Sequence, residues 1–198
     1  MNAVSTQKRK YELRARAESQ RATRARIAKA AAELHEQQGV ARTTVAEIAR
    51  RAGVQRLTVY KHFADLSELL PACSAHYLEL NPPPDVSAAL SLEDPSERVR
   101  AVLSAFYSWY RDNAEMQERV QGERSTVPEL EAWMAGTADV ALAQLSNGLA
   151  AGFGLRGERL YALIRLALDF WTWRRLDREG LDDEAAAELM ASSVAGLS

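Results

Sequence analysis

The sequence predicts an all-α protein, and three observations carry that expectation. Apolar residues recur at three- and four-residue spacings in one stretch after another, the period of a helix with one buried face. No run alternates apolar with polar residues as a half-buried strand does. Helix boundaries are also written out, by capping residues before the periodic stretches and by glycine or proline after them. With 198 residues, 47% of them hydrophobic, the chain is long enough to bury roughly 70% of its unfolded surface without a disulfide or structural metal.

The elements follow in order. Residues 1–20 are polar and basic with no hydrophobic stripe, and read as a flexible arm or a frayed extension of the first helix. From Arg21, the residues Ile27, Ala31 and Leu34 share a face and Gly39 supplies a stop. Thr44-Val45-Ala46-Glu47 is a capping box that opens a helix with Val45, Ile48 and Ala49 inward, ending near Gly53. After a tight turn, residues 56–63 form a short helix held by Val59 and Phe63. Asp65 then caps a helix through Leu69, Leu70 and Cys73 to about Leu80, where Asn81-Pro82-Pro83-Pro84 ends it. Asp94-Pro95-Ser96-Glu97 restarts the chain, and Val99, Val102, Leu103, Phe106 and Tyr110 line one long helix to about Gly122. A single helix is expected from Thr126 to Gly152, another from Gly157 to Arg178, and a last one from Asp182 to Val194.

Charge divides this chain in two. Residues 1–64 hold 14 Lys and Arg against 5 Asp and Glu, a net of +9, and the remainder carries −11. A basic half joined to an acidic half points to two tasks, the first involving a polyanion. The lone cysteine, Cys73, excludes an intramolecular disulfide and Cys-based zinc sites and suits a reducing, cytoplasmic setting. No apolar run approaches membrane-spanning length, and no secretory signal is expected.

Two short helices joined by a glycine turn, with a third before them, make a helix-turn-helix unit. Such a unit needs a bracing helix and a second helix that enters the major groove. Residues 54–63 suit the second role. Val54, Val59 and Phe63 can face the core, leaving Gln55, Arg56, Leu57, Thr58, Lys61 and His62 outside.

The run Thr43-Thr44-Val45-Ala46-Glu47-Ile48-Ala49-Arg50-Arg51-Ala52-Gly53-Val54, then Thr58-Val59-Tyr60-Lys61-His62-Phe63 and Leu69-Leu70, resembles the tetracycline-repressor (TetR) family of bacterial transcription regulators. Gln55 and Leu57 stand where that family often has small residues, and Leu66 stands where many members carry a phosphate-binding lysine. The resemblance implies an N-terminal DNA-binding domain (residues 21–66, motif 43–63) and a C-terminal helical domain (67–198) for effector binding and dimerisation. It also implies a near-palindromic duplex operator as partner and release by a small effector.

Roles can be assigned to single residues. Arg56 has the bidentate geometry for guanine O6 and N7, or can clamp a phosphate. Leu57 and Thr58 can touch a thymine methyl. Tyr60, placed by the family position, can give its hydroxyl to a phosphate or serve as core; Lys61 and His62 are phosphate donors. Thr44 caps its helix and can hold a phosphate there. The second half shows no catalytic or metal-ligating arrangement, so neither an enzyme nor a cofactor is expected. Its aromatic residues suggest an apolar effector site built from Tyr107, Trp109, Tyr110, Trp133 and Phe170. Apolar positions spanning about 240° of the 157–178 helix leave surplus surface. Leu166, Phe170 and Trp173, with Leu189 and Met190 on the following helix, are therefore expected to form a dimer interface. Two rivals remain open from the residues alone: a helical small-molecule carrier or enzyme with an incidental basic end, and a sequence-tolerant nucleoid-type DNA binder.

Overall fold

The structure, a computed structural model, describes residues 3–153 and 157–197, with side chains from Tyr11 onward. Every regular element among the described residues is helical. Twelve helices follow in order: α1 (Ala3–Gln38), α2 (Val45–Ala52), α3 (Arg56–His62), α4 (Leu66–Leu80), α5 (Ser87–Leu90), α6 (Pro95–Asp112), α7 (Ala114–Glu123), α8 (Pro128–Gly136), α9 (Ala138–Ala151), α10 (Glu158–Ala167), α11 (Phe170–Arg178) and α12 (Asp183–Ala195). None among the described residues is long and apolar enough to cross a membrane.

The chain divides into two compact units, meeting at Leu80 and Asn81. In the first, α1 packs on α2 and α4, and α2 packs on α3. Its interior is formed by Ile27, Ala31, Leu34, Ile48, Ala49, Val59, Phe63, Leu70 and Cys73. The residue boundary read from sequence, at 66/67, falls at the start of α4, but α4 lays Leu69, Leu70, Cys73 and Tyr77 into the interior it shares with α1. Of the two readings of the arm, an extension of the first helix is the one observed. Residues 11–20 are not an irregular tail but the exposed middle of a 36-residue helix that starts at Ala3. The side chains of Lys8, Arg9 and Lys10 lie outside the described residues.

In the second unit α6 packs on α12, α9 packs on α8 and α10, and α5 rests on α6. Three helices expected to run unbroken are each divided. The 95–122 stretch breaks at Asn113, a buried residue whose side-chain amide donates to the Trp109 carbonyl at 2.8 Å. The 126–152 stretch breaks at Thr137. The 157–178 stretch turns at Leu168 and Asp169, where the Asp169 carboxylate caps α11 by accepting from the Trp171 and Thr172 amides at 2.8 and 3.2 Å.

That last corner is fixed from a distant part of the chain. Carbonyls at a helix end lose their intrahelical donors and need others. The Tyr107 hydroxyl donates to the Ala167 carbonyl and the Tyr110 hydroxyl to the Leu168 carbonyl, both at 2.7 Å. Burial and the nearby Asp169 charge hold both phenols well above their ordinary pKa, so they remain donors.

Candidate nucleic-acid interface

The reading helix is held by the two helices before it. Thr44 and Glu47 form the capping box expected of them. The Thr44 hydroxyl oxygen accepts from the Glu47 amide at 3.3 Å, and a Glu47 carboxylate oxygen accepts from the Thr44 amide at 2.9 Å. These bonds from Thr44 hold the Glu47 carboxyl below its usual pKa. Gln38, at the end of α1, donates to the same carboxylate at 3.3 Å. Arg51 reaches back to Glu33 and Gln37 on α1, at 3.2 and 2.8 Å. Gly53 then reverses the chain at φ 65°, a left-handed conformation that costs glycine little, and α3 begins three residues on. Thr44→Ala is expected to lower the melting stability of this unit by about 1 kcal/mol, with Thr44→Ser close to the parent in thermal unfolding.

One contact that sequence reasoning missed ties α1 to α3. The Arg24 guanidinium lies 3.9 Å over the Phe63 ring centroid and donates to the His62 carbonyl. Sequence spacing offers no signal for it, because Arg24 and His62 are 38 residues apart.

Thus supported, α3 buries Val59 and turns its other side outward. Gln55, Arg56 and Lys61 are exposed, Leu57 is 62% and Tyr60 53% exposed, and Thr58 and His62 are half-buried. Tyr60 is therefore no core residue. Gln55 occupies the N-cap position but makes no side-chain capping bond. The result is a short helix presenting a guanidinium, an ammonium, a phenol, an amide and two small or apolar contact groups on one rigid support. Hydrogen-bond donors of this kind suit base edges and phosphate oxygens, and none of these side chains is committed to an ion pair among the described residues.

The family model for bacterial regulatory proteins of the tetR family matches residues 27–73, the segment that builds this arrangement. This segment is similar to the tetR family. Two relatives from Pseudomonas putida, the HTH-type transcriptional regulator SrpR and the uncharacterized HTH-type transcriptional regulator TtgW, are each 44% identical to this chain over 89 residues. The aligned stretch is 43% of this chain, but only 40% of SrpR and 64% of TtgW, less than two thirds of either. The fold extends further. The structure of AibR in complex with isovaleryl coenzyme A and operator DNA superposes with a TM-score of 0.59 at 20% identity, covering 86% of this chain and 97% of that one.

The second unit places its aromatic residues differently from the sequence reading. Of the five residues expected at an effector site, Tyr107, Tyr110 and Phe170 lie inside the core. Tyr110 meets Phe170 edge-on at 5.4 Å between ring centroids and Trp173 at 5.9 Å. Trp109 and Trp133 are half-buried, and the Trp109 indole donates to the Asn81 carbonyl at 3.3 Å. Two shallow grooves, of about 340 and 250 Å³, are lined by none of these five residues.

The expected dimer-forming set divides in two. Leu166 and Leu189 are exposed, at 53% and 48%. Phe170, Trp173 and Met190 are buried within the chain itself, whereas Trp171, next to Phe170, is exposed. The cause is the corner at Leu168 and Asp169, which rotates everything after it relative to a continuous helix.

Proposed function

We propose that this chain is a TetR-family regulator, a sequence-specific DNA-binding protein that controls transcription. It acts as a homodimer on a near-palindromic operator and represses until a small apolar or aromatic effector binds the second unit. The single observation that carries the reading is the exposed face of α3, with Gln55, Arg56, Leu57, Tyr60 and Lys61 outward on a helix tied to α1 by the Arg24–His62 bond and packed on α2. AibR, solved with both operator DNA and isovaleryl coenzyme A, and EbrR, described as a multidrug binding protein and solved with imidazole, support a regulator of this kind. No catalytic task is assigned to any residue, and the working compartment of such a regulator is the cytoplasm.

In this reading Arg56 reads a base, and Thr44, Tyr60, Lys61 and His62 hold phosphates. Gln55, Leu57 and Thr58 contact base edges. An effector releases the operator only by binding one arrangement of the dimer better than the other. Trp109 and Trp133, which are not sealed in the core, are the fluorescent reporters for its entry.

Selection of bound sequences from a pool of random duplexes tests the function and yields the operator. A palindromic consensus is expected, with reading helices about 34–36 Å apart or a multiple of that. Arg56→Ala then costs about 1–3 kcal/mol on the consensus and relaxes preference at one base position. Lys61→Ala weakens all sequences alike and lowers the salt slope by about one. Enrichment of no sequence, with steep salt dependence, overturns the reading in favour of a sequence-tolerant binder.

A further inference from the structure

We propose that the exposed N-terminal part of α1 is a second DNA-binding element, a basic helical stripe that engages phosphates beyond the reach of α3. The proposal rests on the reading of α3 as the DNA-contacting helix.

The stripe starts at Arg24, whose guanidinium holds the His62 carbonyl and covers Phe63. It thus begins next to Lys61, an exposed residue of the reading helix. With 100° per residue, Arg14, Ala17, Arg21 and Arg24 all lie within about 40° of one line along α1. Arg16 and Arg26 lie about 120° and 160° from that line by the same measure. From Arg24 to Arg14 the helix rises about 15 Å, enough to pass more than one phosphate along a duplex strand.

Three features of the structure favour a polyanion as the occupant. Residues 11–20 are exposed throughout, so this part of α1 buries no apolar face that would account for its being a helix. No ion pair holds Arg14 or Arg21 among the described residues, in contrast to Arg51, which is spent on Glu33 and Gln37. The residues of the line itself include no carboxylate; Glu12 and Glu18 of the same helix fall outside it, and Glu79 of α4 borders the groove that Arg21 and Arg24 line. Helical presentation also removes the ordering cost that a flexible arm incurs on binding.

The test uses the full chain and a mixed-sequence duplex of about three helical turns, followed by fluorescence anisotropy between about 50 and 200 mM salt. Arg14→Gln with Arg21→Gln removes two charges from the stripe. Arg16→Gln with Arg26→Gln removes two charges from elsewhere on the same helix, and circular dichroism checks that both variants keep the parent's helix content. The stripe variant is expected to lose about 1.8 from the salt slope for each bound protomer, roughly a twelvefold smaller affinity change across that salt range. The off-stripe variant is expected to keep the parent slope. Equal slopes for both variants overturn the stripe while leaving the α3 reading intact. A parent protein that binds no duplex overturns both.

Discussion

Replacing Trp173 by alanine is expected to destabilise the second unit by about 3–5 kcal/mol, most of what a unit of this size has in reserve. The indole is 1% exposed and packs among Tyr110 and Phe170. Its N–H donates to Asp183 at 3.0 Å, and Asp183 also accepts from Nε and Nη2 of Arg111, each at 2.8 Å. Alanine leaves a large void and removes that donor; phenylalanine fills most of the space and leaves Asp183 to Arg111, so it should cost much less. Chemical denaturation of the two variants checks the order. Leu166→Glu, at an exposed position of α10, is expected to behave in the opposite way. Its helical content should match the parent, while sedimentation shows a monomer with weakened operator binding. A Leu166→Glu protein that sediments as a dimer moves the interface away from α10.

The second large effect is acid sensitivity of the first unit, centred on His35. This imidazole is buried, with its Nδ1 3.7 Å from the Cys73 sulfur, and burial lowers its pKa from 6.5 to about 4. Cys73 gives no compensating charge, since burial pushes its thiol up to about 12. Between pH 4 and 6.5 the unfolded chain therefore binds a proton that the folded chain refuses, so stability rises with pH in that window. The contribution is complete above pH 6.5 and falls away toward pH 4, by about 3 kcal/mol in all. His35→Leu should flatten this part of the pH–stability profile relative to the parent. Parallel profiles for the two proteins over pH 4–6.5 contradict the assignment.

Much of the helix-turn-helix unit was legible in the sequence because its signals are local. The capping box at Thr44 and Glu47 lies within one helical turn, and the turn at Gly53 needs one residue that accepts a left-handed backbone. The outward set on α3 follows from its inward partners Val59 and Phe63, at i and i+4. Exposure of Tyr60 was legible only through its family position, since a phenol by itself serves equally well in a core. The Arg24 contact was not legible either, because it joins residues 38 apart.

In the second unit, periodicity correctly marked which stretches are helical and failed on where they stop. Asp169 and Thr172 satisfy two patterns equally: a polar wedge on a continuous helix, or an N-cap with its first turn. By itself the sequence determined an all-α chain, the helix-turn-helix unit and most of the residues that α3 displays. Only the tertiary structure decided the corner at Leu168 and Asp169, and with it the burial of Phe170 and Trp173 and the exposure of Trp171. The carbonyls freed by that break are tolerable only because Tyr107 and Tyr110, some 60 residues earlier, bring hydroxyls to them. A helix end in a protein interior depends on where its last carbonyls find donors, and that is set by packing across the chain rather than by neighbours along it.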